Sequence, residues 1–124
     1  MTILVDSDIL IEIARGRNQD VISRWLQLSQ SDTVVMVSPF TVAELWAGAK
    51  PPEQNLLRAL FQLLLCAPID EDTGRQAGEY LQKFRGSHSV ELGDALIAAS
   101  AVQNKAELWT RNRKHFPMPG LRFY

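Results

Sequence analysis

The chain opens on a short β-branched apolar run, residues 2–5, that ends in the acid Asp6, and a second run, rich in valine, spans residues 33–38. Unbroken apolar runs of this length read as strands buried on both faces. Between them, residues 8–15 and 20–30 carry helical spacing, the latter through Val21, Ile22, Trp25, Leu26 and Leu28. Pro39 closes the second strand, and helical spacing resumes over 41–49 through Val42, Leu45, Trp46 and Ala49 until Pro51-Pro52 stops it. The pattern predicts a further helix over 53–66, with the apolar stretch 56–67 facing the core, and a short third strand at Ala67-Pro68-Ile69. Glu71-Asp72 then opens an amphipathic helix running through Ala77, Tyr80, Leu81 and Phe84 to Gly86, its first acids suiting the helix dipole. Alanine-rich residues 92–103 form another helix, 107–110 a fourth strand and 121–124 a fifth, set off by Pro117 and Pro119-Gly120. Strands alternating with helices predict an α/β fold: a central parallel sheet of four to five strands, covered on both faces.

No repeat, linker or low-complexity tract interrupts this pattern, so one domain over residues 1–124 is expected, a length that can enclose a core without disulfides. At 46% hydrophobic and 22% charged residues the composition is that of a globular and not a disordered chain. Residues 56–67 are interrupted by Arg58 and Gln62 and are too short to span a bilayer, and no export signal follows Met1. A cytoplasmic protein without membrane association is expected. The lone Cys66 can form neither an internal disulfide nor a zinc site and reads as a buried thiol. A formal charge of −1 supplies no overall basic field, so any nucleic-acid contact must be local.

In a parallel sheet covered by helices, ligands gather beyond the carboxyl ends of the strands. Asp6, Ser38 and Asn112 all fall at such ends. Asp6-Ser7-Asp8 also suits a helix cap; Asp8 looks the better cap, which leaves the Asp6 carboxylate free. Glu44 lies two positions from Val42 and from Trp46, about 200° around a helix from each, and so off the apolar stripe. Its own face carries Phe40, Thr41, Ala47 and Gly48, and a solvated glutamate is the alternative. Asp94 is the sharpest anomaly, because its helix face is otherwise Val90, Glu91, Ile97 and Ala98. A carboxylate on an apolar stripe is ordinarily paired, hydrogen-bonded or bound to a metal. A cap or a buried salt bridge stays open for it, and Glu91 is a second candidate one turn earlier.

Carboxylates from separate segments repel one another unless a cation lies between them, and hard oxygen donors select Mg²⁺ or Mn²⁺. Such an ion activates water and neutralises a phosphate oxygen, which makes a phosphodiester the natural substrate. His88 and His115 read as surface or loop residues, without metal-binding spacing around either. Arg111, Arg113 and Lys114, beside Asn112, form a basic knot suited to a phosphate backbone or, equally, to a solvated loop.

Four segments then form a pattern: Val5-Asp6-Ser7-Asp8-Ile9-Leu10, Val42-Ala43-Glu44-Leu45, Gly93-Asp94-Ala95-Leu96-Ile97-Ala98-Ala99 and Leu108-Trp109-Thr110-Arg111-Asn112. In order and spacing the whole chain resembles the PIN-domain ribonucleases, in particular the VapC-like toxins of prokaryotic toxin–antitoxin pairs. The resemblance implies a three-layer α/β/α fold and Mg²⁺- or Mn²⁺-dependent endonuclease activity on RNA. It implies inhibition by a cognate antitoxin and assembly as a homodimer. It maps the acidic triad to Asp6, Glu44 and Asp94, and the last motif to Thr110 and Asn112, where many members carry aspartate in place of Asn112; Glu91, Thr110 and Ser7 stand second to the triad and Asn112.

Two other readings remain at this point. Asp6 and Asp8 could be the nucleophile and general acid of a haloacid-dehalogenase-like phosphatase, although that leaves Glu44 and Asp94 unexplained. Alternatively the fold could be a binding module that no longer cleaves. Bulky apolar residues on the early helices, Ile11, Ile13, Trp25 and Trp46, suggest a surface for a partner.

Overall fold

The computed structural model describes residues 1–124 throughout. Strands β1 (Thr2–Val5), β2 (Val34–Val37), β3 (Leu65–Cys66), β4 (Glu107–Trp109) and β5 (Arg122–Phe123) form one parallel sheet in the order β3-β2-β1-β4-β5. The unbroken apolar character of β1 and β2 follows from cover on both faces. Ile3, Val5, Val35 and Val37 enter one core cluster, while Leu4 and Met36 enter the other.

Helices α1 (Ser7–Arg15), α2 (Gln19–Ser29) and α4 (Gln54–Gln62) close the first cluster through Ile9, Leu10, Val21, Leu28 and Leu60. Helices α5 (Glu71–His88) and α6 (Leu92–Gln103) close the second through Ala77, Tyr80, Ala95 and Ile97. The remaining helix, α3 (Pro39–Gly48), stands at the boundary: Phe40 packs against the second cluster, Val42 and Leu45 against the first. That position lets α3 deliver a side chain to the sheet edge between the two helical layers.

Local chemistry sets the helix ends. Asn18 caps α2 by accepting from the Val21 amide, and Ser38 caps α3 from the Phe40 amide with Pro39 in the first turn, where its missing N–H costs nothing. Gly16, at φ 67°, ends α1 in the left-handed conformation that glycine adopts without strain.

The segment after α3 departs from the expected pattern. A 3₁₀ turn, Pro51–Glu53, precedes α4, which stops at Gln62 instead of continuing to 66; the third strand lies at Leu65–Cys66 and not at 67–69. Register explains the shift: Met36 pairs with Leu65 and Val37 with Cys66, and the Ala67 amide makes the last bond to the Val37 carbonyl. Pro68 has no N–H with which to extend the ladder. Because β3 is the sheet edge, Leu65 is 56% exposed and Cys66 is exposed too, so the thiol is not buried as its apolar neighbours imply. Within α4 only Leu57 and Leu60 are buried, so the apolar stretch around them is not uniformly core-facing. No helix is long and apolar enough to cross a membrane.

The chain moves outward from β1 through β2 to β3, then crosses back to β4 on the other side of β1. The crevice between the carboxyl ends of β1 and β4 is therefore the point where strand order reverses, the place a parallel sheet opens to a ligand. Asp6 and Thr110 are the residues that follow those two strands.

Candidate active site

Asp6 is 7% exposed and is the capping residue of α1: one carboxylate oxygen accepts from the Ser7 amide at 2.8 Å, the other from the Thr110 hydroxyl at 2.8 Å. Thr110 in turn accepts from the Asn112 amide at 3.0 Å, and the Asp6 amide donates to the Trp109 carbonyl at 3.0 Å. The ends of β1 and β4 are thus stitched together around one buried carboxylate. This corrects the expectation that Asp8 caps α1. Asp8 reaches instead across the site to accept from the Arg111 amide at 2.9 Å. It does not line the acidic pocket, which leaves the phosphatase reading without its second acid.

That pocket, about 190 Å³, is lined by Asp6, Ser7, Glu44, Glu91, Asp94, Asn112 and His115, with Phe40, Gly93 and Ile97 as its other walls. Four carboxylates from three segments, the end of β1, α3 and the start of α6, therefore share one opening. Asp94 sits in the first turn of α6 and accepts from the Glu91 amide at 3.1 Å, so it combines a cap with a place on the pocket wall. Its anomalous position on an apolar stripe is explained by both. Glu44 is exposed on α3, off the apolar positions Val42 and Leu45.

Burial and mutual repulsion push these groups toward protonation. Asp6 is raised by desolvation, opposed by Thr110 and Ser7 and reinforced by the charge of Asp94. Glu44 is raised by partial burial of its carboxyl and by Asp6 and Asp94, with Ser7 acting against them. Asp94 is raised by burial, with the Glu91 amide and His115 pulling it back.

His115, read from sequence as a surface or loop residue, is a neighbour of the pocket that this reading did not bring to the acids. It lies on the 3₁₀ turn Arg113–His115 with Nδ1 3.7 Å from Asp94 and lines the pocket. The signal available was its position three residues beyond Asn112 on a turn that folds back over the site. The basic knot divides. The Arg111 guanidinium lies 3.3 Å from Glu12, Arg113 stacks 4.9 Å from the Phe123 ring centroid, and Lys114 is exposed; none of the three lines the pocket. His88 is exposed beside Ser87, away from it.

The apolar residues singled out on the early helices also divide. Ile13 and Trp25 pack against the first core cluster, and Trp46 lies under Arg58 at 5.3 Å. Ile11 instead lines a groove of about 350 Å³ between α1, α3 and α4, with Leu10, Leu45 and Leu57. Glu44 borders both this groove and the acidic pocket.

The donor set suits a hard divalent cation: carboxylate oxygens predominate, with a hydroxyl, an amide and the single imidazole of His115, and no thiolate lines the pocket. No three His, Cys, Asp or Glu side chains close on one point in this arrangement. Each of the oxygens of Asp6 retains a lone pair beyond its hydrogen bond.

A parallel sheet with acids from β1, α3 and α6 gathered at its switch point defines a class of protein, and the PIN domain model matches residues 3–118: the chain belongs to the PIN-domain family. It is 38% identical over 118 residues to "Ribonuclease VapC10" of Mycobacterium tuberculosis, an alignment covering 94% of this chain and 86% of that one. It is 31% identical over 116 residues to "Ribonuclease VapC19" of the same organism, covering 93% and 92%. The fold matches that of VapBC2 from Rickettsia felis, determined bound to a DNA fragment from its promoter, with a TM-score of 0.84 and 21% identity over 100% of this chain and 98% of that one.

Proposed function

We propose that the protein is a metal-dependent endoribonuclease of the cytoplasm and the toxin of a toxin–antitoxin pair. The observation that carries this reading is the convergence of Asp6, Glu44 and Asp94 on one pocket at the switch point of the sheet. In it, Asp6, Glu44 and Asp94 hold Mg²⁺ or Mn²⁺, which when bound acidifies water and offsets charge on a phosphodiester. Thr110 and Ser7 keep the Asp6 carboxylate oriented through the bonds they donate. Asn112, whose side chain makes no capping bond, is free to donate to a phosphate or sugar oxygen of RNA, and Glu91 stands behind the triad at the pocket rim.

The test is cleavage of RNA by purified protein with Mg²⁺, with Mn²⁺ and with excess EDTA. Metal-dependent cleavage leaving 5′-phosphate and 3′-hydroxyl ends is expected, since in this reading the nucleophile is a water that the bound ion would acidify. Full activity in EDTA, or 2′,3′-cyclic phosphate ends, would rule this chemistry out.

Arg113 and Lys114, with Arg111 partly committed to Glu12, hold the RNA backbone on the flank of the pocket. Replacing all three by alanine is expected to weaken binding of every RNA sequence alike and flatten its salt dependence while cleavage-site choice survives. Unchanged affinity and an unchanged salt slope in a filter-binding titration would remove the assignment.

The partner in this reading is a cognate antitoxin, seated in the apolar groove lined by Leu10, Ile11, Leu45 and Leu57. Because Glu44 borders groove and pocket alike, a segment lying there can reach the acids, and an arginine at its tip would match a carboxylate pair with fixed charge. A second copy of the chain completes the assembly as a homodimer, to be tested by light scattering with and without the antitoxin.

A further inference from the structure

The loop that carries Asn112 is fastened to the start of α1 at more points than the acidic pocket itself uses. The Arg111 amide donates to Asp8 at 2.9 Å across 103 positions of sequence, and the Arg111 guanidinium lies 3.3 Å from Glu12, whose side chain is only 15% exposed. One residue on, the Asn112 amide is held by Thr110, while its side chain makes no capping bond. The position of the Asn112 side chain is therefore set through the backbone on either side of it.

Asp8 is an expensive way to hold a loop unless the loop's position matters. It is half-buried, and one of its oxygens is buried with no partner at all, so its hydration is given up for a single backbone bond. The cap of α1 does not require it, because Asp6 performs that role. Nor does it reach the pocket.

We propose that Asp8, with Glu12 as a second prong on Arg111, is a positioning residue that fixes the loop after β4 so that Asn112 stays on the pocket wall. Its effect on turnover rests on the nuclease reading above; its effect on the loop does not. The arrangement makes the Asp8 bond an acceptor requirement and not a charge requirement, which separates it from the acids of the pocket.

A double-mutant cycle tests the coupling. Asp8→Ala is expected to lower kcat about 10- to 100-fold, the scale of removing a supporting partner, with KM little changed. Asp8→Asn keeps an accepting oxygen and should recover most of that loss. In the Asn112→Ala background, Asp8→Ala should change kcat by less than about 3-fold, since residues acting through one another are not additive. Equal losses with and without Asn112, or full activity in Asp8→Ala, would overturn the proposal. Amide hydrogen exchange gives a readout independent of activity. Arg111 and Asn112 should exchange faster in Asp8→Ala and at the parental rate in Asp8→Asn; unchanged protection in Asp8→Ala overturns the clasp whether or not the protein cleaves RNA. Should Asp8→Ala fail to fold, Glu12→Ala applies the same exchange measurement to the other prong, and unaltered protection there counts against it equally. A parent protein inactive with every divalent ion would sink the nuclease reading alone, and the exchange result would then decide the clasp.

Discussion

Asp94→Asn and Asp6→Asn are each expected to reduce RNA cleavage by about 10²- to 10³-fold or more, the cost of removing one group aimed at charge in a transition state, and to leave the metal-free protein at least as stable as the parent. Asparagine keeps an oxygen to accept from the Glu91 amide at position 94 or from the Ser7 amide at position 6, so the caps survive. At position 6 the Thr110 hydroxyl can turn to accept from the new amide. What disappears is charge: Asp6 is raised by its burial and by Asp94, and Glu44 by its own burial and by both. Paired thermal melts in EDTA and in Mg²⁺ decide the matter. Mutants that unfold well before the parent in EDTA would make these acids structural partners, and the functional assignment of the pocket would fall with them.

The same shifts give the metal-free protein an unusual pH profile. Asp6 and Asp94 have folded values above the ordinary 3.8, and Glu44 above 4.5, so between those values and the raised ones the native state binds more protons than the unfolded chain. Stability therefore falls as pH rises through that window and is recovered as pH falls through the raised values, opposite to the usual paired carboxylate. Asp70, exposed and lowered by its bonds from Thr73, acts in the ordinary sense and is lost on acidification. Melting temperature in EDTA should accordingly climb as pH falls through the raised values toward the ordinary ones in the parent, and climb less in Asp94→Asn.

Much of this site was legible in the sequence because each acid broke a local rule. Asp6 ended an apolar strand, Asp94 interrupted an apolar helix face, and Glu44 stood off its stripe; all three meet in the pocket. What failed to show was whatever depended on contact between distant segments. Asp6 and Asp8 compete for one cap on paper, and only the arrival of Thr110 and Arg111 from the end of β4 gives the first a hydroxyl and the second an amide. His115 carries no periodic signal, because a three-residue turn has no face to compare it with. The region after α3 misled for another reason. Leu63 to Cys66 is as apolar as a buried helix turn, yet it forms the turn after α4 and a two-residue edge strand, whose register is set by β2 and not by its own composition.

Gly93→Ala is expected to destabilise the protein by about 1–3 kcal/mol, the range for overpacking a filled interior, and to suppress cleavage. Gly93 is buried in the first turn of α6, and a Cβ there would overlap Cε1 and Cζ of Phe40 and lie 3.1 Å from Cδ1. Phe40 belongs to the first turn of α3, the helix that carries Glu44, while Gly93 directly precedes Asp94. The missing Cβ therefore sets how closely the α3 and α6 starts approach, and with that how closely two of the pocket acids come together. The ring packs against the second core cluster, so a shift that clears the new Cβ disturbs that contact and the pocket wall that Phe40 also forms. Phe40→Ala removes the ring atoms responsible, and in that background the sign should reverse. Alanine is favoured over glycine in a helix by about 0.5–1 kcal/mol, so Gly93→Ala should then be neutral or stabilising. Urea denaturation of the parent, both single variants and the double variant measures the coupling directly. A Gly93→Ala penalty that persists unchanged without the Phe40 ring would mean that the glycine serves the backbone of α6 itself, and the spacing of Glu44 and Asp94 would have to be set elsewhere.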